Sequence, residues 1–235
     1  MITQLINPPV ITLDGPSGTG KGTLCHQLAK VLNWHVLDSG AIYRALAVSV
    51  LQDLAHYPHP LERLIELARA LPLQFTLDDP DHQLVYLDGH NITDLIRSEQ
   101  VGQEASRLAA LPHVRAALLD RQREFAQWPG LVTDGRDMGT VVFPNAHLKI
   151  YLYASAEERA KRRYLQLIGR GVESDLQSVI AELAERDARD MARKYAPLMP
   201  AVHAIQLDTT GLTIVQVLEI ILQLAAERGL YHPPL

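Results

Sequence analysis

The sequence predicts an α/β fold, in which helices flank a five-stranded parallel sheet that carries a small antiparallel β insert and a short lid. Along the 235 residues, five short apolar runs alternate with helical segments, an order typical of a parallel sheet covered on both faces. Between about 72 and 97 the apolar period changes from that of a helix to that of a strand. A glycine-rich turn joins the first strand to the first helix.

The order of the predicted elements divides the chain into three regions. The core comprises about 9–38, 130–155 and 204–230, with strands at 10–14, 34–37, 131–134, 148–152 and 204–207 and helices at 21–32 and 213–228. The second region, about 39–129, holds helices at 41–54, 61–70, 98–111 and 112–127 and insert strands at 73–77, 84–87 and 90–93. The third, about 156–200, holds helices at 156–168 and 175–195. The glycines at 169 and 171 between them suggest a mobile lid that excludes water.

Composition excludes several classes of function. An apolar content of 47% and a charged content of 21% are ordinary for a soluble globular protein. The net charge of −5 argues against a nucleic-acid partner, because such binding needs a basic stripe. The sequence contains no run of about 18 apolar residues, so no membrane partner is predicted. Residues 1–7 lack the features of a signal peptide. The single cysteine, Cys25, is expected in the core, and the protein in the cytoplasm.

The glycine-rich turn has the spacing of a phosphate-binding loop. It follows a strand and opens a helix at Lys21, which is the context that such a loop requires. Backbone N–H groups and the helix N-terminus would hold an anion, and the lysine would reach the outer phosphates. Gly22 stands where a hydroxyl residue is expected, so we assign the Mg²⁺ side to Thr23, one position later. The predicted phosphate-binding residues are Gly15, Ser17, Gly18, Thr19, Gly20, Lys21, Gly22 and Thr23.

Polar residues follow two further strands, at positions where open α/β sheets bind ligands. Ser39 and Arg44 lie in the first turns of a helix, and Arg44 is a candidate phosphate ligand; alternatively, residues 38–40 only cap that helix. After the strand that ends at Asp134, Arg136 offers a planar fork for a phosphate and Asp137 an acceptor for an amine or hydroxyl. The alternative there is a self-contained ion pair between Asp134 and Arg136.

Charged side chains also recur on the predicted lid helices. Arg186, Asp190 and Arg193 follow one another at spacings of four and three, which places them on one stripe. Such rows are usually solvated salt-bridge ladders, but in a phosphate-handling fold arginines can neutralise the charge of a transferring phosphoryl group. Arg159, Arg162 and Arg163 on the preceding helix leave the same two interpretations open.

Four ordered motifs together resemble those of the bacterial cytidylate kinases, which are P-loop nucleoside monophosphate kinases. They are Gly15–Thr23, Leu37–Arg44, Asp134–Thr140 and Glu185–Asp190. The similarity extends from about Pro9 to Ala226 and includes the β insert of the bacterial branch. It implies direct in-line transfer of a phosphoryl group from ATP to CMP or dCMP, with Mg²⁺ as cofactor bound through the ATP phosphates, in a monomer. The region at about 39–129 would bind the monophosphate.

The resemblance also assigns roles to the residues that match the motifs of the family. Ser39 and Arg44 would bind the nucleoside monophosphate, with Arg44 on its phosphate, and Arg136 would bind the acceptor phosphate. Asp190 would bind the sugar hydroxyl, with Arg193 alongside. The residues implied to read the cytosine edge are Ser106, Arg115 and Asp137. The implied catalytic residues are Lys21, Arg163, Arg186 and Arg193.

Two other functions stay open from the sequence. One is a P-loop kinase for another nucleotide or a small metabolite, which the preference among acceptors would distinguish. The other is a non-catalytic nucleotide-binding module, although the acceptor-side arginines favour an enzyme over a switch that senses the γ-phosphate.

Overall fold

A computed structural model describes residues 7–53, 60–79, 82–169 and 171–232 of the chain. Three predictions fall partly outside these ranges: the signal-peptide assessment at residues 1–6, the end of a predicted helix at Leu54, and the lid break at Arg170. The chain forms two compact units, the first from residues 1–37 and 123–235 and the second from residues 38–122.

The helices and strands of the described residues alternate much as the sequence predicts. In chain order they are β1 (Val10–Asp14), α1 (Lys21–Leu32), β2 (His35–Asp38), α2 (Ser39–Gln52), α3 (Leu61–Arg69), β3 (Leu73–Asp79), β4 (His82–Leu87), β5 (His90–Asn91), α4 (Glu99–Leu108), α5 (Pro112–Arg123), β6 (Leu131–Gly135), β7 (Leu148–Tyr153), α6 (Ala156–Ile168), α7 (Leu176–Met191), β8 (Ile205–Asp208) and α8 (Ile214–Glu227). A short 3₁₀ turn at Leu95–Arg97 precedes α4, and a π-helical turn at Met138–Val142 follows β6.

The first unit contains the predicted five-stranded parallel sheet, in the order β2-β6-β1-β7-β8. Strand β1 lies at the centre and pairs in parallel with both β6 and β7. In this register Asp14, the last residue of β1, stands beside Gly135, the last residue of β6. The loops that follow these two strands therefore begin side by side at the carboxyl edge of the sheet, where α/β sheets bind ligands.

The core of the first unit lies between this sheet and two helices. All residues of β1 and β6 are buried, as expected for central strands covered on both faces. Leu24 and Leu28 of α1 and Val217 and Ile221 of α8 pack into one cluster with the strand side chains. Cys25 belongs to the same cluster, which confirms its predicted place in the core.

The second unit contains the antiparallel insert, whose strands lie in the order β3-β4-β5. The predicted hairpin at residues 88–89 is confirmed, because Asp88 and Gly89 both adopt the positive φ angles, 50° and 74°, that a tight two-residue turn uses. The predicted turn at 78–81 is wrong at its start: β3 continues to Asp79 through an irregularity after Thr76. Residues 80–81 lie outside the described part of the chain.

Several predicted helix ends are too late. Helix α4 ends at Leu108 rather than 111, α5 at Arg123 rather than 127, and α7 at Met191 rather than 195. For α7 the cause is a tertiary contact, since the backbone N–H of Leu198 donates to the carbonyl of Asp190 at 2.9 Å and turns the chain back. Within the described residues, no helix has the length and apolar character needed to cross a membrane.

Candidate active site

The phosphate loop after β1 is held in an unusual conformation by its glycines. Gly15 has a φ angle of 146°, and a Cβ added there would lie 2.0 Å from the carbonyl oxygen of Leu152 in β7. Gly18 has a φ angle of 81°, and a Cβ there would lie 2.9 Å from both the Cβ and the carbonyl oxygen of Arg159 in α6. Glycine is therefore required at both places by the backbone angle and by the close approach of the neighbouring chain.

Lys21 is buried at the start of α1, and its ammonium group contacts the loop itself. Its Nζ donates to the carbonyl of Pro16 at 2.6 Å and to Oγ1 of Thr19 at 3.2 Å. Burial lowers the pKa of Lys21 to about 7, with a further lowering by the neighbouring Arg136 and Arg186. The nearby carboxylates of Asp134 and Asp14 act against this shift.

Arg136 connects the phosphate loop to the end of α7. Its Nη2 donates to Oγ of Ser17 at 2.7 Å, and its Nε donates to Oδ2 of Asp190 at 2.8 Å. The sequence left open a self-contained ion pair between Arg136 and Asp134; the ion pair of Arg136 is instead with Asp190. Asp134 is buried and lies near enough to Lys21 to affect the pKa of that lysine.

Asp190 is almost completely buried between two guanidinium groups. Its second oxygen, Oδ1, accepts from Nη2 of Arg193, which lies just beyond the end of α7. Burial acts to raise the pKa of Asp190, but the charges of Arg136, Arg193 and Arg186 outweigh it and hold that pKa below its ordinary value. The predicted row on α7 is therefore a buried network at the loop rather than a solvated ladder.

The arginines of α6 differ in what they reach. Arg163, predicted to be catalytic, donates to Oε1 of Gln166 on its own helix at 2.9 Å. Arg162 donates to the carbonyl oxygen and hydroxyl of Thr209. Arg159 instead donates to the carbonyl of Ser17 at 3.0 Å, in the phosphate loop.

Sequence reasoning missed Asp14, which ends β1. Its two carboxylate oxygens accept from the backbone N–H groups of Met138 at 2.9 Å and Gly139 at 2.7 Å. Burial raises the pKa of Asp14 to about 6, although these two hydrogen bonds act in the opposite direction. Asp14 precedes the phosphate loop, so its hydrogen bonds join the start of that loop to the segment after Arg136 and Asp137. The sequence did offer one signal for Asp14: an aspartate at the end of an apolar strand is expected to be buried only if its carboxylate has partners.

Four of the predicted CMP-binding residues belong to the second unit, where α2 packs against α4. Ser39 and Ser106 are buried. Arg44 donates from Nη1 to the carbonyl of Ile96 at 2.7 Å. Arg115 donates to the carbonyl of Ala109 at 3.1 Å, and its guanidinium lies 5.8 Å from the centre of the Tyr43 ring.

At the start of α2, Asp38 is the N-cap, since Oδ1 accepts from the N–H of Ala41 at 3.0 Å, and Ser39 is the first helical residue.

The remaining predicted CMP-binding residues, Arg136, Asp137, Asp190 and Arg193, belong to the first unit. Asp137 is buried directly before the π-helical turn, where its carbonyl accepts from the N–H of Val141 at 2.9 Å.

A Mg²⁺ ion delivered with ATP stays a prediction, and the residues present beside the phosphate loop are compatible with it. Among the described residues, no group of three His, Cys, Asp or Glu side chains could hold a metal ion. Mg²⁺ keeps several of its waters and is usually bound by substrate phosphates with few protein ligands, so such a cage is not needed. Thr23 is exposed in the first turn of α1, two residues after Lys21, with a hydroxyl oxygen of the type that Mg²⁺ prefers.

Comparison with known proteins identifies the family. A family model described as cytidylate kinase matches residues 11–227. Proteins named cytidylate kinase are 55% identical over 89% of this chain and 92% of the relative in Edwardsiella ictaluri, and 54% identical over 96% and 99% in Stutzerimonas stutzeri. A third, from Pseudomonas putida, is 52% identical over 94% of this chain and 97% of the relative. The chain belongs to the cytidylate kinase family.

Membership of the cytidylate kinase family confirms the resemblance that the four motifs predict. The chain is therefore an ATP-dependent nucleoside monophosphate kinase. The individual roles of the site residues stay predictions.

Proposed function

We propose that the chain transfers the γ-phosphoryl group of ATP to CMP and to dCMP. One observation carries this proposal: Arg136 and Arg186 lie close enough to Lys21 to lower its pKa, and Arg136 also binds Ser17 of the phosphate loop. Two guanidinium groups and the Lys21 amine, which phosphate groups would protonate, are thus gathered at the end of an anion-binding loop. A polyphosphate and an acceptor phosphate that approach each other need such a concentration of positive charge.

The roles of these residues follow from their positions. The N–H groups of the loop and Lys21 would bind the outer phosphates of ATP. Arg136 would bind the acceptor phosphate, and Arg186 would neutralise the charge that spreads over the transferring group. Thr23 would hold the Mg²⁺ ion, which when bound neutralises charge on the ATP phosphates. The acceptor oxygen is already anionic, so no general base is needed.

Recognition of cytosine is assigned to Ser106, Arg115 and Asp137. Cytosine presents an N4 amine donor beside acceptors, so a carboxylate together with hydroxyl and guanidinium donors matches its edge. Uracil has an acceptor in place of the amine and would place that oxygen against the buried Asp137 carboxylate, which is also an acceptor. Sites that bind a substrate amine in this way reject the analogue that lacks it. The burial of all three side chains supports the assignment.

The test measures kcat/KM for CMP, dCMP, UMP, AMP and shikimate with ATP and Mg²⁺. We expect kcat/KM for CMP and dCMP to exceed the value for each other acceptor by about tenfold or more. Replacement of Asp137 by asparagine should reduce the preference for CMP over UMP. An equal or greater rate with another acceptor would refute the proposed substrate, and ATP binding without CMP-dependent turnover would refute the proposed reaction.

A further inference from the structure

A buried ion pair connects the two lid helices to the phosphate loop. Nη1 of Arg159 in α6 lies 2.5 Å from Oδ2 of Asp187 in α7. Asp187 is only 6% exposed, and the Arg159 side chain is nearly as well buried. The sequence left the role of Arg159 open between a salt-bridge ladder and phosphoryl neutralisation, and it assigned no role to Asp187.

The pair binds both backbone polar groups of Ser17 in the phosphate loop. Nη1 of Arg159 donates to the carbonyl of Ser17 at 3.0 Å, and Oδ1 of Asp187 accepts from the N–H of Ser17 at 3.5 Å. The hydroxyl of Ser17 is in turn bound by Arg136. All three polar groups of Ser17 are therefore held by side chains from outside the loop.

This arrangement matters because the loop would otherwise be difficult to order. Gly15, Gly18 and Gly20 all have positive φ angles, and glycine-rich segments lose much conformational entropy when they are fixed. A loop that is ordered before the ligand arrives spares the ligand this cost and binds more tightly. The close approach of Gly18 to Arg159 places the pair at the point where the loop turns toward α1.

We propose that Arg159 and Asp187 are positioning residues that hold the phosphate loop in its ATP-binding conformation. Their effect passes through the backbone of Ser17, so it should appear chiefly in the affinity for ATP and much less in the affinity for CMP. The inference rests on the proposed role of this loop in binding ATP, but not on the identity of the acceptor.

The experiment compares Arg159→Gln, Asp187→Asn and the double variant. Each single variant should weaken ATP binding by about tenfold, measured as Kd by calorimetry, with the KM for CMP within about twofold of the unchanged protein. Because both side chains act on Ser17, the double variant should lose less than the product of the two single losses. The double variant also removes both charges, so it leaves no unpaired buried charge if a single variant does not fold.

The matched controls are Glu185→Gln and Lys161→Gln. Glu185 is an exposed residue of α7 that pairs with the half-buried Arg189, and Lys161 is an exposed residue of α6. Both remove a charge from the same helices and should leave the Kd for ATP unchanged. A purely structural role would instead lower the active fraction, and so kcat, with the Kd for ATP and both KM values unchanged.

Two results would overturn the inference: a Kd for ATP within about twofold in the folded variants, or equal losses of ATP and CMP affinity. The Kd for ATP is measured without CMP, so the inference can fail while CMP turnover by the unchanged protein persists. Conversely, absence of CMP turnover would refute the proposed reaction and leave this test intact.

Discussion

Lys21 binds its own loop with an ammonium group whose charge is easily lost. Burial and the two nearby arginines lower its pKa to about 7, so near neutral pH the free protein exchanges between a charged and a neutral amine there. Phosphate groups bound at the loop would favour the charged form and raise that pKa. Binding of ATP should therefore be coupled to uptake of a proton by Lys21.

This coupling predicts how ATP affinity depends on pH. Between pH 7 and the raised pKa of the complex, the complex holds more protons than the free protein, so affinity falls as pH rises, by up to about tenfold per pH unit. Calorimetry from pH 7 to 9, in buffers of different ionisation enthalpy, measures both the Kd and the proton uptake. Lys21→Arg is the matched control, because arginine stays charged over this range and should remove the part of the slope that comes from the protein. An equal slope in both proteins would contradict the coupling.

At the level of residues, local patterns led to the candidate site residues but not to their contacts. The loop residues and the α7 row were proposed from local spacing, and Arg136 from its place after a strand. The partner of Arg136 was not, because Asp190 lies 54 positions away and Asp134 only two. The contact of Asp14 with Gly139 spans 125 positions and that of Ser17 with Asp187 spans 170. Spacing along one helix or loop carries no information on such pairs.

At the level of elements, the apolar period identified the strands and helices, and tertiary contacts moved their ends. Helix α7 carries a good helical pattern to residue 195, but Ala196 adopts a φ angle of 52° and the chain returns to bond Asp190. Arg193 consequently lies after the helix and still reaches Asp190. The predicted neighbours Asp190 and Arg193 are therefore in contact, although Arg193 does not belong to the helix.

The glycines of the phosphate loop, between β1 and α1, lead to a prediction about stability. In Gly15→Ala, the new Cβ would lie 2.0 Å from the carbonyl oxygen of Leu152, which forces β7 or the loop to move. We expect the free energy of unfolding to fall by about 2–4 kcal/mol. Gly22→Ala is the control, since a Cβ there meets nothing within 4 Å in the first turn of α1, and should stabilise by up to about 1 kcal/mol.

Urea unfolding followed by circular dichroism measures both glycine variants. The two substitutions add the same methyl group within eight positions of each other, so the comparison isolates the close approach at β7. Equal effects of the two on the free energy of unfolding would show that the approach of Leu152 does not constrain the loop.

At the level of the whole molecule, the chain places the two sets of predicted ligand residues in different units. The phosphate loop and its arginines belong to the first unit, and Ser39, Arg44, Ser106 and Arg115 belong to the second. The sequence predicted a region at about 39–129 that holds the β insert, and the change of apolar period that marks the insert lies within it, at about 72–97. Compact units of one chain can open and close with separate free energies.

This division predicts different hydrogen-exchange patterns for the two substrates. ATP alone should slow exchange at the amides of residues 17–22 and the first turn of α1, and leave the β3-β4-β5 sheet unchanged. CMP alone should slow exchange in α2 and α4. At about 100 times its Kd, a ligand stabilises the protein it binds by about 2.7 kcal/mol, which is well within the range that exchange detects.

The informative comparison is between the two ligands on the same peptides. Arg44→Met is the matched variant for CMP, because it removes the guanidinium from α2 and leaves the phosphate loop untouched; it should lose the CMP effect and keep the ATP effect. If CMP protected only segments of the first unit, the assignment of Ser39, Arg44, Ser106 and Arg115 to the acceptor would be wrong. The acceptor would then be bound by Arg136, Asp137, Asp190 and Arg193 alone, all of which the first unit supplies.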